Sequence, residues 1–197
     1  VDQDFVWVTQ SVLNSVSKID KTTNTIIATI PVGSGATSFG DMTGFRYDML
    51  FGASTIACGD TITSTTTLSA DLLNCSGTAL IIGADNITLD CAGYTISGDS
   101  LTGNGIENSG GFDGVTIENC NVTAFDTGIN FGTGANNGTI TNNITNANGT
   151  GINLQSNSNN VLTNNTANSS IVLPGNIGGY GFYISVGTNN TLSSNTA

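Results

Sequence analysis

The sequence predicts an all-β protein, chiefly a parallel β-solenoid with a short antiparallel β-meander in front of it. Three observations carry this. First, Gly105-Ile106-Glu107-Asn108 returns as Gly128-Ile129-Asn130-Phe131, Gly151-Ile152-Asn153-Leu154 and Gly181-Phe182-Tyr183-Ile184. Second, a companion phrase is interleaved with it: Val115-Thr116-Ile117, Thr139-Ile140-Thr141, Val161-Leu162-Thr163 and Thr191-Leu192-Ser193. Two phrases in lock-step at a period of about two dozen residues mark stacked repeats. Third, each phrase is short, β-branched and bounded by Gly and Asn, so each reads as a strand. One rung cannot bury its apolar face alone, but stacked rungs can.

Residues 1–52 form the meander. Asp4 to Thr9, Val16 to Asp20 and Thr25 to Val32 read as three strands, with Lys21-Thr22-Thr23-Asn24 as the second turn. Val6-Trp7-Val8-Thr9, Val16-Ser17-Lys18-Ile19-Asp20 and Thr25-Ile26-Ile27-Ala28-Thr29-Ile30-Pro31-Val32-Gly33 resemble one YVTN/NHL-like β-propeller blade repeat. Gly40 to Phe45 looks like the tail that can follow a last blade. A closed propeller needs typically ~4–8 blades, so one blade cannot close a ring.

The solenoid is expected over 53–197. Thr61-Ile62-Thr63, Leu80-Ile81-Ile82, Asn86-Ile87-Thr88-Leu89 and Tyr94-Thr95-Ile96 build its first turns. Ile87 to Ile96, Val115 to Cys120 and the later Gly-Ile and Asn-Asn-x-Leu phrases resemble right-handed parallel β-helix proteins of the NosD-like class. That resemblance speaks for fold and poorly for function, because binding, surface and carbohydrate-active proteins share these repeats. Three residues after Ile117, Ile140, Leu162 and Leu192 come Cys120, Asn143, Asn165 and Asn195. These Asn are expected at turns, in left-handed geometry, with side chains bonding up the stack as a ladder. The last repeat gains its length at Ser169 to Tyr180, where Ile171, Val172 and Leu173 fold back on the rod or meet a partner.

Composition narrows the function. The chain carries 14 acidic residues, 3 basic ones and no histidine, a net charge of −11. That balance argues against nucleic acid and anionic membrane surfaces. No apolar run approaches a membrane span. Cys58, Cys75, Cys91 and Cys120 match no zinc spacing. Disulfides Cys58–Cys75 and Cys91–Cys120 are expected, because Cys91 and Cys120 follow equivalent strands of successive rungs; buried free thiols are the alternative. Disulfides imply an oxidising compartment, so the protein is expected outside the cell or on its surface. Sequons begin at Asn74, Asn86, Asn121, Asn137, Asn143, Asn148, Asn164, Asn168 and Asn189. Some must be blocked inside the rod, and several at turns are expected to carry glycans if the source glycosylates exported proteins.

Chemistry is sparse. From Ala53 onward there is no Lys, Arg or His, which removes the cationic base that lyases of acidic polysaccharides commonly use. Hydrolysis of glycosides needs only two carboxylates about 5–9.5 Å apart. Asp90 and Glu118 each follow the last apolar residue of a strand and are expected to stack on adjacent rungs, as a retaining pair, a calcium site or plain surface acids. The NosD-like resemblance raises copper, but there is no His, and Met42 and Met49 precede the solenoid, so copper is not expected. Phe131 and Phe182 read as core. Phe112, Phe125, Phe131, Tyr180, Phe182 and Tyr183 together are candidates for a sugar-stacking strip, of which Phe112, Phe125 and Tyr180 read as surface aromatics at turns.

The leading expectation is therefore an exported, non-enzymatic structural or adhesive protein without cofactor, whose partners are other copies of itself. A carbohydrate-binding or carbohydrate-active module acting on surface glycans is the alternative. Asp90 and Glu118 are expected not to be catalytic. Self-association is expected through two edges. The last rung offers unpaired backbone groups and Leu192. The meander, with Phe5, Trp7, Ile26, Ile27 and Ile30, is marginal alone. One copy's meander covering an edge of the next gives a heterologous, propagating contact. A longer protein that covers both ends itself is the competing expectation.

Overall fold

The structure is a computed structural model that describes residues 5–10, 15–31, 56–168 and 179–197. Its contacts divide the chain into Val1–Thr55 and Ile56–Ala197. Every regular element among the described residues is a strand.

In the first unit, β1 (Phe5–Gln10), β2 (Ser15–Asp20) and β3 (Thr25–Pro31) form an antiparallel sheet in the order β1-β2-β3. A register shift between Lys18 and Ile19 marks a bulge in the β2–β3 pair. The turn between them is held by Asp20, whose Oδ1 accepts the backbone N–H groups of Thr22 (2.7 Å) and Thr23 (3.0 Å). These bonds, that of Thr23 foremost, hold the Asp20 carboxyl below its usual range. Asn24 closes the turn at φ 53°, the left-handed geometry that Asn tolerates.

The second unit is a stack of coils carrying three parallel sheets. The first sheet contains β4 (Asp60–Ile62), β7 (Leu80–Ile82), β10 (Asn104–Asn108), β13 (Thr127–Phe131), β15 (Thr150–Gln155) and β17 (Tyr180–Ser185). The second contains β5 (Thr66–Thr67), β8 (Thr88–Asp90), β11 (Thr116–Glu118), β14 (Thr139–Thr141), β16 (Val161–Thr163) and β18 (Thr191–Ser193). The third contains β6 (Leu72–Cys75), β9 (Thr95–Gly98) and β12 (Asn121–Thr123). Beyond β12 it thins to single bridges, Asn121 to Ile144 to Thr166 to Thr196.

The repeat phrases become in-register columns. Ile106 pairs with Ile129, Ile129 with Ile152 and Ile152 with Phe182. Leu89, Ile117, Ile140, Leu162 and Leu192 form the inward column of the second sheet. All but the final member of each column are fully buried. Each such side chain contributes about 1.5–3 kcal/mol by leaving water. The glycine opening each first-sheet phrase has a steric cause. A Cβ on Gly105, Gly128 or Gly151 would lie 2.6, 2.6 or 2.5 Å from the carbonyl oxygen of the next glycine in the column.

The turn asparagines divide into two roles, which corrects the expectation that the residue three after each apolar strand position is left-handed. The left-handed residues stand one place earlier: Asn119, Asn142, Asn164 and Ser194, at φ 55°, 56°, 55° and 56°. Asn143, Asn165 and Asn195 instead turn inward and build the ladder. Cys120 N donates to Asn143 Oδ1 (2.9 Å), Asn143 N to Asn165 Oδ1 (3.0 Å) and Asn165 N to Asn195 Oδ1 (2.9 Å). Their amide nitrogens donate down the stack to the carbonyls of Ile117, Ile140 and Leu162. A buried amide costs little only when both ends are bonded, and here both are.

Candidate functional site

The cysteines close as two disulfides. Cys58–Cys75 has its Cα atoms 5.4 Å apart, and Cys91–Cys120 has them 4.7 Å apart, bridging successive coils. No free cysteine remains.

The carboxylates are placed by the coils that carry them. Asp90 and Glu118 are register partners on the outer face of the second sheet. Asp90 is already engaged: its Oδ1 accepts Ala92 N (2.8 Å) and Asn119 Nδ2 (2.9 Å), pinning the turn that follows. Other acids are likewise structural acceptors. Asp85 Oδ1 accepts Asp113 N, and Asp113 Oδ1 accepts Asn136 N, each at 2.8 Å. Asn136 Oδ1 continues this second ladder by accepting Ser158 N at 2.8 Å. Asp71 Oδ1 accepts Thr95 N (2.8 Å), and Asp60 Oδ2 accepts Ala57 N (2.8 Å). Among the described residues no three Asp, Glu, His or Cys side chains converge as metal ligands would. Calcium therefore has two carboxylates at Asp90 and Glu118, one of them already bonded twice, and no third such ligand.

The aromatic residues separate by depth. Phe131 is fully buried and Phe182 packs partly against the core, as expected. Phe125 overturns its expectation: it is wholly buried. Ala124, at φ 65°, reverses the chain just before it and sends the ring inward. Phe112 packs partly against the core rather than standing free. Tyr180 lies in β17, not in a turn, and is exposed, with its ring centroid 5.3 Å from that of exposed Tyr183.

Tyr183 also ends an outward column, Glu107–Asn130–Asn153–Tyr183, on the first sheet. Asn153 Nδ2 donates to Asn130 Oδ1 at 2.8 Å, while Asn153 Oδ1 has no partner. This strip went unnoticed in the sequence, although the shared phrase places Glu, Asn, Asn and Tyr at one position.

Of the association residues, Ile26, Ile27 and Leu192 are exposed and Ile30 is half-buried. Phe5 and Trp7 lie in β1, and their side chains are outside the described residues, as are Gly40 to Phe45, Ile171, Val172 and Leu173. At the last coil, Phe182, Leu192, Ser193, Ser194, Asn195 and Ala197 line a hollow of about 280 Å³. Every acidic side chain precedes Thr127, so this end of the solenoid has no charged side chain.

The sequons also divide. Asn74, Asn86, Asn137, Asn164 and Asn189 are exposed, Asn121 and Asn168 are half-buried, and Asn143 and Asn148 are fully buried.

Residues 57–197 match the family model for the right handed beta helix region. No curated protein and no solved structure matches.

Proposed function

The chain belongs to the right-handed β-helix family, and from that premise we propose an exported, non-enzymatic structural or adhesive protein that associates with further copies of itself. The observation that carries the proposal is the last coil. There, among the described residues, β17 and β18 pair on one side only, with β15 and β16. Leu192 is 45% exposed beside the hollow, and Tyr183, Ile184 and Val186 are exposed nearby. Such an edge is a template for another strand, whether from another copy or from chain that follows Ala197. The occupant proposed is a second copy's antiparallel sheet. Among the described residues its β3 likewise pairs on one side only and shows Ile26 and Ile27 to solvent. The propeller-blade resemblance of that sheet supports the assignment, since blade strands are suited to packing on neighbouring sheets. The two disulfides and the absence of a membrane-spanning helix among the described residues are compatible with an extracellular protein.

The test is negative-stain electron microscopy with light scattering on purified protein, wild type against Leu192→Asp. Filaments or rings in the wild type, lost in a folded variant, are expected. A wild type that stays monomeric at high concentration sinks the reading.

A second reading has its own observation. In the strip Glu107–Asn130–Asn153–Tyr183, the coils repeat at about 4.8 Å, a step comparable to one sugar ring. The exposed Tyr183 ring would then hold a neutral glycan laid along the stack. Glycan-array binding that vanishes in Tyr183→Ala, with no change in oligomeric state, would favour it.

A further inference from the structure

We propose that the corner between the first and second sheets carries N-linked glycans at Asn86, Asn137 and Asn189, one on every second coil. This rests on the export reading above.

The corner is a single column. Asn86 N donates to Asp113 O, Gly114 N to Asn136 O, Asn137 N to Ser158 O and Asn159 N to Thr188 O. Its five residues, Asn86, Gly114, Asn137, Asn159 and Asn189, all have positive φ, at 56°, 66°, 56°, 61° and 55°. The residues just before them, from Asp85 to Thr188, bond one coil to the next. The column residues themselves point outward and its four asparagines are exposed, with Asn189 Nδ2 donating to Asn159 Oδ1 at a long 3.4 Å.

Three of the four begin sequons, and the motif is presented in the right phase. In Asn86-Ile87-Thr88, Ile87 is buried while Asn86 is exposed and Thr88 stands on the outer face. Asn137-Gly138-Thr139 repeats this, with Gly138 buried. In Asn189-Asn190-Thr191 both outer residues are exposed. A glycosylating enzyme needs both the Asn amide and the hydroxyl two residues on, and here both face solvent together.

The same motif occurs in the opposite phase at Asn143-Ile144-Thr145. There Asn143 and Thr145 are wholly buried and Ile144 is 44% exposed. Asn148 is buried, with Nδ2 donating to Val122 O at 3.0 Å. Asn121 is half-buried, with its amide donating to Thr95 Oγ1 at 3.2 Å. Spacing fits as well. The skipped coils hold Gly114, and Asn159 in Asn159-Asn160-Val161, neither a sequon. Acceptors on alternate coils lie about 9–10 Å apart, twice the strand spacing, where adjacent-coil glycans would crowd each other.

The experiment uses the protein isolated from its source, with cell and extracellular fractions kept apart. Glycan release by an amidase in ¹⁸O water converts each occupied Asn to labelled Asp. Chymotryptic peptides then locate the label, because the solenoid has no Lys or Arg for trypsin. The isotope separates true sites from deamidation at Asn137-Gly138 that predates the incubation, and a parallel incubation in ¹⁸O water without amidase subtracts what occurs during it. Label on at least two of Asn86, Asn137 and Asn189, with none on Asn143 or Asn148, is expected. Fewer than two, or label on either buried Asn, overturns the proposal. Bare asparagines on extracellular, disulfide-bonded protein defeat the glycans alone. Recovery only from inside the cell defeats the export reading with them.

Discussion

Asparagine does two opposite jobs at adjacent positions, and the pair Asn164-Asn165 shows how physics tells them apart. Asn164 needs only to tolerate φ 55°. Asn165 is buried and makes four bonds: its Oδ1 accepts Asn143 N and Asn143 Nδ2, and its Nδ2 donates to Ile140 O and Asn195 Oδ1. Replacing Asn165 with Ala strands the buried Asn143 N–H, at about 1–3 kcal/mol. Asn165→Ala should therefore lose at least about 1–3 kcal/mol in urea unfolding. Asn164→Gly should change stability by less than about 0.5 kcal/mol, because Gly also accepts positive φ at no steric cost. Equal losses in the two variants would show that the ladder is not what selects Asn. Sequence alone revealed the ladder but exchanged the left-handed position with it, since both residues are Asn and only burial distinguishes them. Phe125 was misread for a related reason: a left-handed Ala124 carries no turn signature, so the reversal that buries the ring is silent in the chain.

Elements were legible in proportion to how apolar their inward column stays. The first two sheets keep Ile, Leu or Phe inward on nearly every coil, and both were readable from the repeats. The third sheet begins with Leu72, Ile96 and Val122 and then continues with the bridges about Thr145 and Ala167. Once the inward residue is Thr or Ala, neither alternation nor β-branching marks a strand, and only the stack reveals it. The glycine column is the other feature sequence cannot explain. Strand propensity alone makes Gly128→Ala stabilising by roughly 0.5–1 kcal/mol. The structure reverses that sign. The new Cβ would lie 2.6 Å from Gly151 O and 2.9 Å from the Asn148 amide. A backbone oxygen held by its own coil cannot step aside, so the coils must part, which typically costs about 1–3 kcal/mol. Gly128→Ala should lower the midpoint of urea unfolding; a raised midpoint would mean the coils are not in close contact there.

For the whole molecule, the distribution of charge decides how copies can meet. Residues 53–197 hold nine acids and no base, and all nine precede Thr127; residues 1–52 hold five acids and three bases. The solenoid segment therefore carries −9 of the −11 and the N-terminal segment −2. Two copies approaching through their acid-bearing coils repel, and salt relieves that repulsion, since the screening length falls from about 30 Å at 0.01 M to about 10 Å at 0.1 M. The proposed contact avoids it by joining the last coil of one copy, which bears no charged side chain, to the weakly charged antiparallel sheet of another. What remains is apolar burial and strand pairing, which respond little to simple salts at these concentrations. The concentration at which assemblies appear by light scattering should then stay within about twofold between 0.01 and 0.1 M sodium chloride. Charge placed in the contact should behave differently: Leu192→Asp should stay dispersed at either salt, because a carboxylate buried without a partner is not rescued by screening. Wild-type assembly that strengthens tenfold or more over the same range would show acid-bearing coils facing each other, and would move the interface from the last coil to the faces carrying Asp90 and Glu118.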